Sequence, residues 1–156
     1  MIIIGIDPGA GGAMVVWDKK ISKVHKCPES TEEMAEIVKE SLYIHKTKNI
    51  REVFAYMELV HAMPHDGRSS LFKFGTNYGK WLGILGAYKV PTTLVSPQRW
   101  MKYWKDKLDI KLPKDKSSRK RALKEIASNY TDKKITLYNA DAILIAMYGM
   151  YDKKGE

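Results

Sequence analysis

Three carboxylates in this 156-residue chain lie in apolar runs, where an unpaired charge is costly. Asp7 ends Ile2-Ile3-Ile4-Gly5-Ile6, Glu58 ends Val53-Phe54-Ala55-Tyr56-Met57, and Asp141 opens the apolar stretch from Ala140 to Met147. Each has an ordinary structural explanation. Asp7-Pro8-Gly9 is a turn-forming tripeptide, Glu58 suits a strand-end ion pair, and Asp141 complements a helix dipole. Together they point to one site, because a turn former and a helix cap leave Glu58 unexplained. Oxygen donors of this kind suit a hard cation such as Mg²⁺, which takes a few carboxylates and fills its shell with water or phosphate.

The elements that must position these acids follow from the residue pattern. Met1 to Asp7 reads as a buried central strand. A turn through Gly9, Gly11 and Gly12 leads to strands at Ala13 to Trp17 and Lys20 to Cys27, an antiparallel meander. Ser30-Thr31-Glu32-Glu33 is a capping box that starts a helix. Val53 to Leu59 is a fourth strand, Leu71 to Ala87 a helix, and Pro91 to Val95 a fifth strand. Gln98 to Trp104 is expected to form a helical turn, with Trp100 and Trp104 as core anchors, and residues 106–115 a basic loop. Ser118 to Tyr130 and Asn139 to Met150 read as helices. This order predicts one α/β domain over residues 1–156, a mixed five-stranded sheet with helices on both faces. Within the helix at 71–87, Gly75, Gly79 and Gly83 lie four apart and make one face flat enough for close backbone packing. His25, His45 and His65 lack partner spacing and are expected at the surface.

Charge supplies a second signal. The chain carries 27 basic and 18 acidic residues, a net of +9. Between Pro97 and Lys134 there are 13 basic and 5 acidic residues, a net of +8, so the other 118 residues are almost neutral. One electropositive face is therefore expected, of the kind that binds a polyanion. A solvated lysine-rich helix and loop explains the same run. No stretch is apolar for long enough to span a membrane, no secretory leader is expected, and the single Cys27 excludes an internal disulfide and a cysteine-based zinc site. A cytoplasmic protein with no membrane partner is the expectation.

Gly5-Ile6-Asp7-Pro8-Gly9, Glu58 after its apolar strand, and Ala140-Asp141-Ala142-Ile143-Leu144-Ile145-Ala146 together resemble the RuvC-type Holliday-junction resolvases of the ribonuclease H-like superfamily. Met63 to Gly75, with Tyr78-Gly79, is similar to the variant carried by phages and prophages. The resemblance spans Met1 to Tyr151. It implies a ribonuclease H-like fold and a two-metal phosphodiesterase that cuts four-way DNA symmetrically as a homodimer. Asp7 would bridge two Mg²⁺ ions, Glu58 and Asp141 would each help hold one, and Mn²⁺ would substitute. The dimer is implied to form through the helix at 71–87. Lys116 falls where the family keeps a lysine beside the reaction centre, and Lys102 falls near another basic position. Lys114, Arg119, Lys120 and Lys124 would follow phosphates, with Lys120 and Lys124 on one helical face.

Two positions depart from the family pattern. The fourth metal ligand, three residues before the last acid, is replaced by Tyr138 with Asn139 beside it, neither a strong Mg²⁺ donor. The aromatic residue three positions after the second acid is replaced by His61, which can still stack on a base. Two further readings stay open on sequence. One is a branched-DNA-binding protein with a weakened metal site. The other is an actin-like nucleotide-binding fragment using Gly9 to Gly12, disfavoured because the chain has one such loop and half the length of that fold.

Overall fold

The apolar run Ile2–Asp7 forms the central strand, β1, with Ile2, Ile3, Ile4 and Ile6 fully buried. The computed structural model describes residues 1–47, 52–60 and 67–155. After β1 come Ala13–Asp18 (β2), Lys20–Lys26 (β3), Thr31–Thr47 (α1), Val53–Glu58 (β4), Arg68–Ala87 (α2), Thr92–Val95 (β5), Pro97–Leu108 (α3), Lys116–Ser128 (α4) and Ala140–Lys154 (α5). The sheet runs β3-β2-β1-β4-β5. The first three strands pair antiparallel, while β1, β4 and β5 pair parallel. Among the described residues no helix is long and apolar enough to cross a membrane.

Strand alternation divides the core into two layers. Ile3, Ala13, Val15, Tyr56 and Val95 face α3, α4 and α5, whereas Ile4, Ile6, Met14, Val16 and Met57 face α1 and α2. Helices therefore cover both faces, as the sequence order predicts. α5 is buried from Ala142 to Met150 without a polar side, because the sheet lies on one flank and α3 and α4 on the other. Gly5 permits this seat. A Cβ there would overlap the Ala142 carbonyl oxygen and lie 2.6 Å from the Ala146 backbone nitrogen. Gly5→Ala is therefore expected to push α5 off the sheet at a cost of roughly 1–3 kcal/mol, read as a lower urea midpoint with an unchanged slope.

One element is longer than the sequence pattern indicates. The expected turn at Gln98 to Trp104 is the first part of α3, which runs to Leu108 and takes in Asp106. Ser96 caps it, its Oγ accepting from the Arg99 amide (3.3 Å), and Pro97 occupies the first turn. Asp109, in the left-handed region at φ 50°, ends it. Trp100 and Trp104 are buried, as expected, and the Trp104 indole donates to the Leu144 carbonyl at 3.2 Å. Trp104 also meets Tyr130, just beyond α4, in a tilted pair at 4.9 Å and Tyr151 of α5 edge-on at 6.2 Å, fastening α3 to the C-terminal helices. The Ser30 hydroxyl caps α1 by accepting from the Glu33 amide at 3.0 Å.

His25 corrects an expectation. It is partly buried on β3 rather than a surface residue, and its Nε2 is shielded from solvent. The side chain of His45 and all of His65 lie outside the described residues.

Candidate active site

Strand parity aims the first two acids at the same face. Ile3 and Gly5 lie against α5, so Asp7, two further along β1, shares their side. Tyr56 likewise places Glu58 on that side of β4. The parallel register pairs Ile6 with Met57, which sets Asp7 beside Glu58 at the carboxyl edge of adjoining strands. Asp141 enters from the first turn of α5, the helix packed on that face. The carboxyl edge of such strands is where α/β sheets commonly place ligands.

The backbone around Asp7 is tightly held. The Gly9 amide donates to Asp7 Oδ1 at 3.1 Å, and the Gly12 amide donates to the Gly9 carbonyl at 2.8 Å. Only glycine fits at position 12, since a Cβ would overlap the Asp7 carbonyl oxygen and come 2.7 Å from Asp7 Cγ. Cys27 Sγ donates to the same carbonyl at 3.2 Å. Burial pushes that thiol up to about 12, so Cys27 braces the strand end as an unionised donor. From α2, Asn77 Nδ2 donates to the Pro8 carbonyl at 2.6 Å.

The acids share one electrostatic environment. Burial raises the pKa of Asp7, while the Gly9 amide and the Lys120 ammonium pull it back. Burial, then the Asp7 charge, lift Glu58 to about 7, and the same two causes lift Asp141 to about 6. Asp7 is thus the common neighbour of the other two. Asp141 also acts on Glu58, more weakly than Asp7 does. Asp7 and Glu58 are neighbours through the β1–β4 register, and Asp141 approaches them from the first turn of α5. Among the described residues no three acid, histidine or cysteine side chains converge tightly enough to surround a single ion. The oxygen donors that Asp7, Glu58 and Asp141 bring to this edge of the sheet are acids alone, without histidine or cysteine. That fits hard divalent cations, which need few carboxylates apiece.

Trp100 is a member of the site that sequence reasoning assigned only to the core. Its indole Nε1 donates to Glu58 Oε1 at 3.1 Å and favours the carboxylate form. Nothing in its spacing with Trp104 distinguishes this role, which depends on where α3 crosses β4. Trp100→Phe is expected to keep the fold but remove the donor. The predicted consequence is a further rise in the Glu58 pKa, read by NMR titration of its side-chain carboxyl carbon.

The basic residues divide by distance from the acids. Lys120 is the cation acting on all three, and Arg119 acts on Asp141. Lys116, expected at the reaction centre, is exposed at the start of α4 and is not among the charges that act on the acids. Lys116, Lys120 and Lys124 follow each other at one-turn spacing and form a row leading away from the site. Arg119 Nη1 donates to the Lys114 carbonyl at 2.7 Å, and the Lys114 side chain is exposed. Lys102 is exposed on α3 and ion-paired with Asp106. His61 lies outside the described residues. Tyr138 is 58% exposed, with its ring over Gly11. Asn139 is buried and committed to its own loop. Its Oδ1 accepts from the Thr136 amide (2.8 Å) and its Nδ2 donates to the Lys134 carbonyl (3.1 Å), so it is no spare metal ligand.

An antiparallel three-strand meander extended by two parallel strands, with helices on both faces, defines a ribonuclease H-like α/β domain. Two solved structures of Thermus thermophilus RuvC share it. The complex with a Holliday junction substrate is 17% identical at a TM-score of 0.57, over 99% of this chain and 96% of that one. The second, of RuvC itself, is 20% identical at 0.55, over 99% and 97%. The yeast mitochondrial Holliday junction resolvase Ydc2 is 16% identical at 0.50, covering 95% of this chain and 77% of that chain. At these identities the likeness is one of fold. No protein-family model and no curated protein sequence matches the chain.

Proposed function

We propose that this protein is a divalent-metal-dependent endonuclease that resolves four-way DNA junctions by paired phosphodiester hydrolysis. The observation that carries the reading is the meeting of Asp7 and Glu58 at the carboxyl edge of β1 and β4 with Asp141 on the helix packed over that face, where the Lys120 charge acts on all three. Asp7 and Glu58 would hold one Mg²⁺ or Mn²⁺, and Asp7 and Asp141 a second. When bound, such ions activate water and offset charge on the leaving 3′ oxygen. The chain's own residues do the rest. Trp100 orients Glu58 and partly offsets the burial that favours its protonated form, and the Gly9 amide does the same for Asp7. Lys120 offsets negative charge that accumulates on the phosphoryl oxygens, in a site already partly shielded from water. Lys116 and Lys124 extend that positive row along the DNA backbone, and Lys102, Lys114 and Arg119 widen it.

Paired cuts need two such sites, and α2 supports a homodimer. Gly75, Gly79, Gly83 and Gly86 have open space where a side chain would stand, so this glycine face is not used for packing within the protomer. Gly79→Leu/Gly83→Leu is expected to convert a dimer to a monomer in analytical ultracentrifugation while leaving the protomer folded.

The test of the activity is nicking of a synthetic four-way junction in Mg²⁺ or Mn²⁺, mapped to single nucleotides, with linear duplex as control. Intact junctions in both metals would sink the reading. Tyr138 in place of a fourth oxygen donor favours the second reading, a junction-binding protein that does not cut. The two separate in the same assay, and Tyr138→Asp is expected to raise cleavage if the missing donor limits it.

A further inference from the structure

A cleft of about 630 Å³ opens between β3 and the segment at 133–139, and Gly12 in its wall lies against Asp7. Gly12 and Ala13 form its inner wall, so it begins where the Asp7 turn ends. Its size falls within the roughly 300–1,000 Å³ range of pockets that hold small organic groups. Lys26, Lys133 and Lys134 line it, and no Asp or Glu does so among the described residues. Lys26 pairs with Ala13 across the sheet and shares its face. Lys23, next along, turns its ammonium away to Glu40 at 3.1 Å.

Tyr138 lines the cleft, three residues before Asp141 in the chain. Its ring lies over Gly11, where a Cβ would come 3.3 Å from the ring, and the residue is 58% exposed. An aromatic side chain left that open is informative when its backbone is fixed, and this one is. The Tyr138 amide donates to Thr136 Oγ1 at 3.2 Å, the Asn139 amide donates to the same oxygen at 3.3 Å, and the buried Asn139 amide group closes the loop on both sides. A ring presented on a braced loop is already positioned to stack, so little ordering is lost on binding. Flanking lysines supply the phosphate attraction that a base alone does not.

We infer that this cleft receives a nucleotide flanking the scissile phosphate, its base stacked on Tyr138 and its phosphates held by Lys26, Lys133 and Lys134. The inference rests on the junction reading above and extends it. Bases in a continuous duplex have both faces covered by their neighbours. A base next to a strand exchange has a face free, and Tyr138 takes that face. The residue that replaces a metal donor would thereby serve substrate choice.

The test uses the full-length Asp7→Asn protein without divalent metal, and junctions carrying 2-aminopurine at each nucleotide flanking the mapped cut. Binding is expected to quench one of these positions. Tyr138→Ala should lose the quench and weaken junction binding about tenfold, leaving linear duplex binding unchanged, while Tyr138→Phe retains both. Lys133→Ala/Lys134→Ala should lower the slope of log Kd on log salt by between about 1 and 2. Equal quench and affinity in the Ala and Phe variants would overturn the inference while leaving the nuclease reading intact. Equal losses on junction and duplex would overturn it as well. A parent protein that shows no preference for junction over duplex overturns the junction reading and this site together.

Discussion

Asp7→Asn is expected to abolish junction cleavage while leaving junction binding within about twofold of the wild type. The substitution preserves shape and the acceptor for the Gly9 amide, which now stands at 3.1 Å from Oδ1. It removes the one carboxylate that neighbours both of the others. Without that shared charge, neither pair of donors remains anionic enough to attract a divalent ion. Rates should fall by roughly a thousandfold or more, the scale of several kcal/mol of lost transition-state stabilisation. On the proposed reading, binding rests on lysines and arginines elsewhere, so gel-shift affinity in EDTA should be preserved. Residual cleavage within tenfold of wild type would show that Asp7 is not central. The paired changes Glu58→Gln and Asp141→Asn should each be milder than Asp7→Asn, because each affects one pair of donors.

The second large effect is on stability, and its sign is opposite to the usual carboxylate case. Glu58 is raised from 4.5 to about 7 and Asp141 from 3.8 to about 6, both chiefly by burial. Between the ordinary and raised values the folded chain holds more protons than the unfolded chain. Folding stability from these groups is therefore present at low pH and lost as pH rises through about 6 to 7. In EDTA, Glu58→Gln is expected to stabilise the protein at pH 8 by about 2 kcal/mol once solvent screening is allowed for, or about 4–8 °C in Tm. At pH 4, below the ordinary Glu58 value of 4.5, the variant and wild type should melt nearly together. Saturating Mg²⁺ at pH 8 should raise the wild-type Tm and narrow the gap. A variant less stable than wild type at pH 8 in EDTA would contradict the electrostatic account of the site.

How much of this is legible in the sequence differs by element. The five strands and the two-sided helical cover follow from apolar runs and capping signals that act locally, so they could be read residue by residue. The three acids were legible for a related reason: each breaks an apolar pattern, and a break in a pattern needs no partner to be visible. α3 was read short because its hydrophobic positions are few. Only Trp100 and Trp104 are buried in it, and the charged run that follows Trp104 looks like loop. Lys120, one helical turn beyond Lys116, is the cation whose charge acts on the three acids. Lys116 and Lys120 share a face of α4, and which turn comes opposite Asp7 depends on how α4 packs on α5, a tertiary fact. The Glu58–Trp100 hydrogen bond spans 42 residues, and no local signal announces it.

That hydrogen bond ties two traits into one inheritance. Trp100 is 1% exposed and packed in the core that α3 shares with α5, yet its nitrogen holds an acid of the candidate site. A change that loosens α3 would be read out as weaker chemistry even when it lies far from the DNA. Conversely, a laboratory search for faster variants could not alter the surroundings of Glu58 freely without disturbing the interior. Thermal robustness and turnover at this position would have to be improved by the same substitutions, which leaves a narrower path for engineering than the exposed lysine row, where the two can be varied apart.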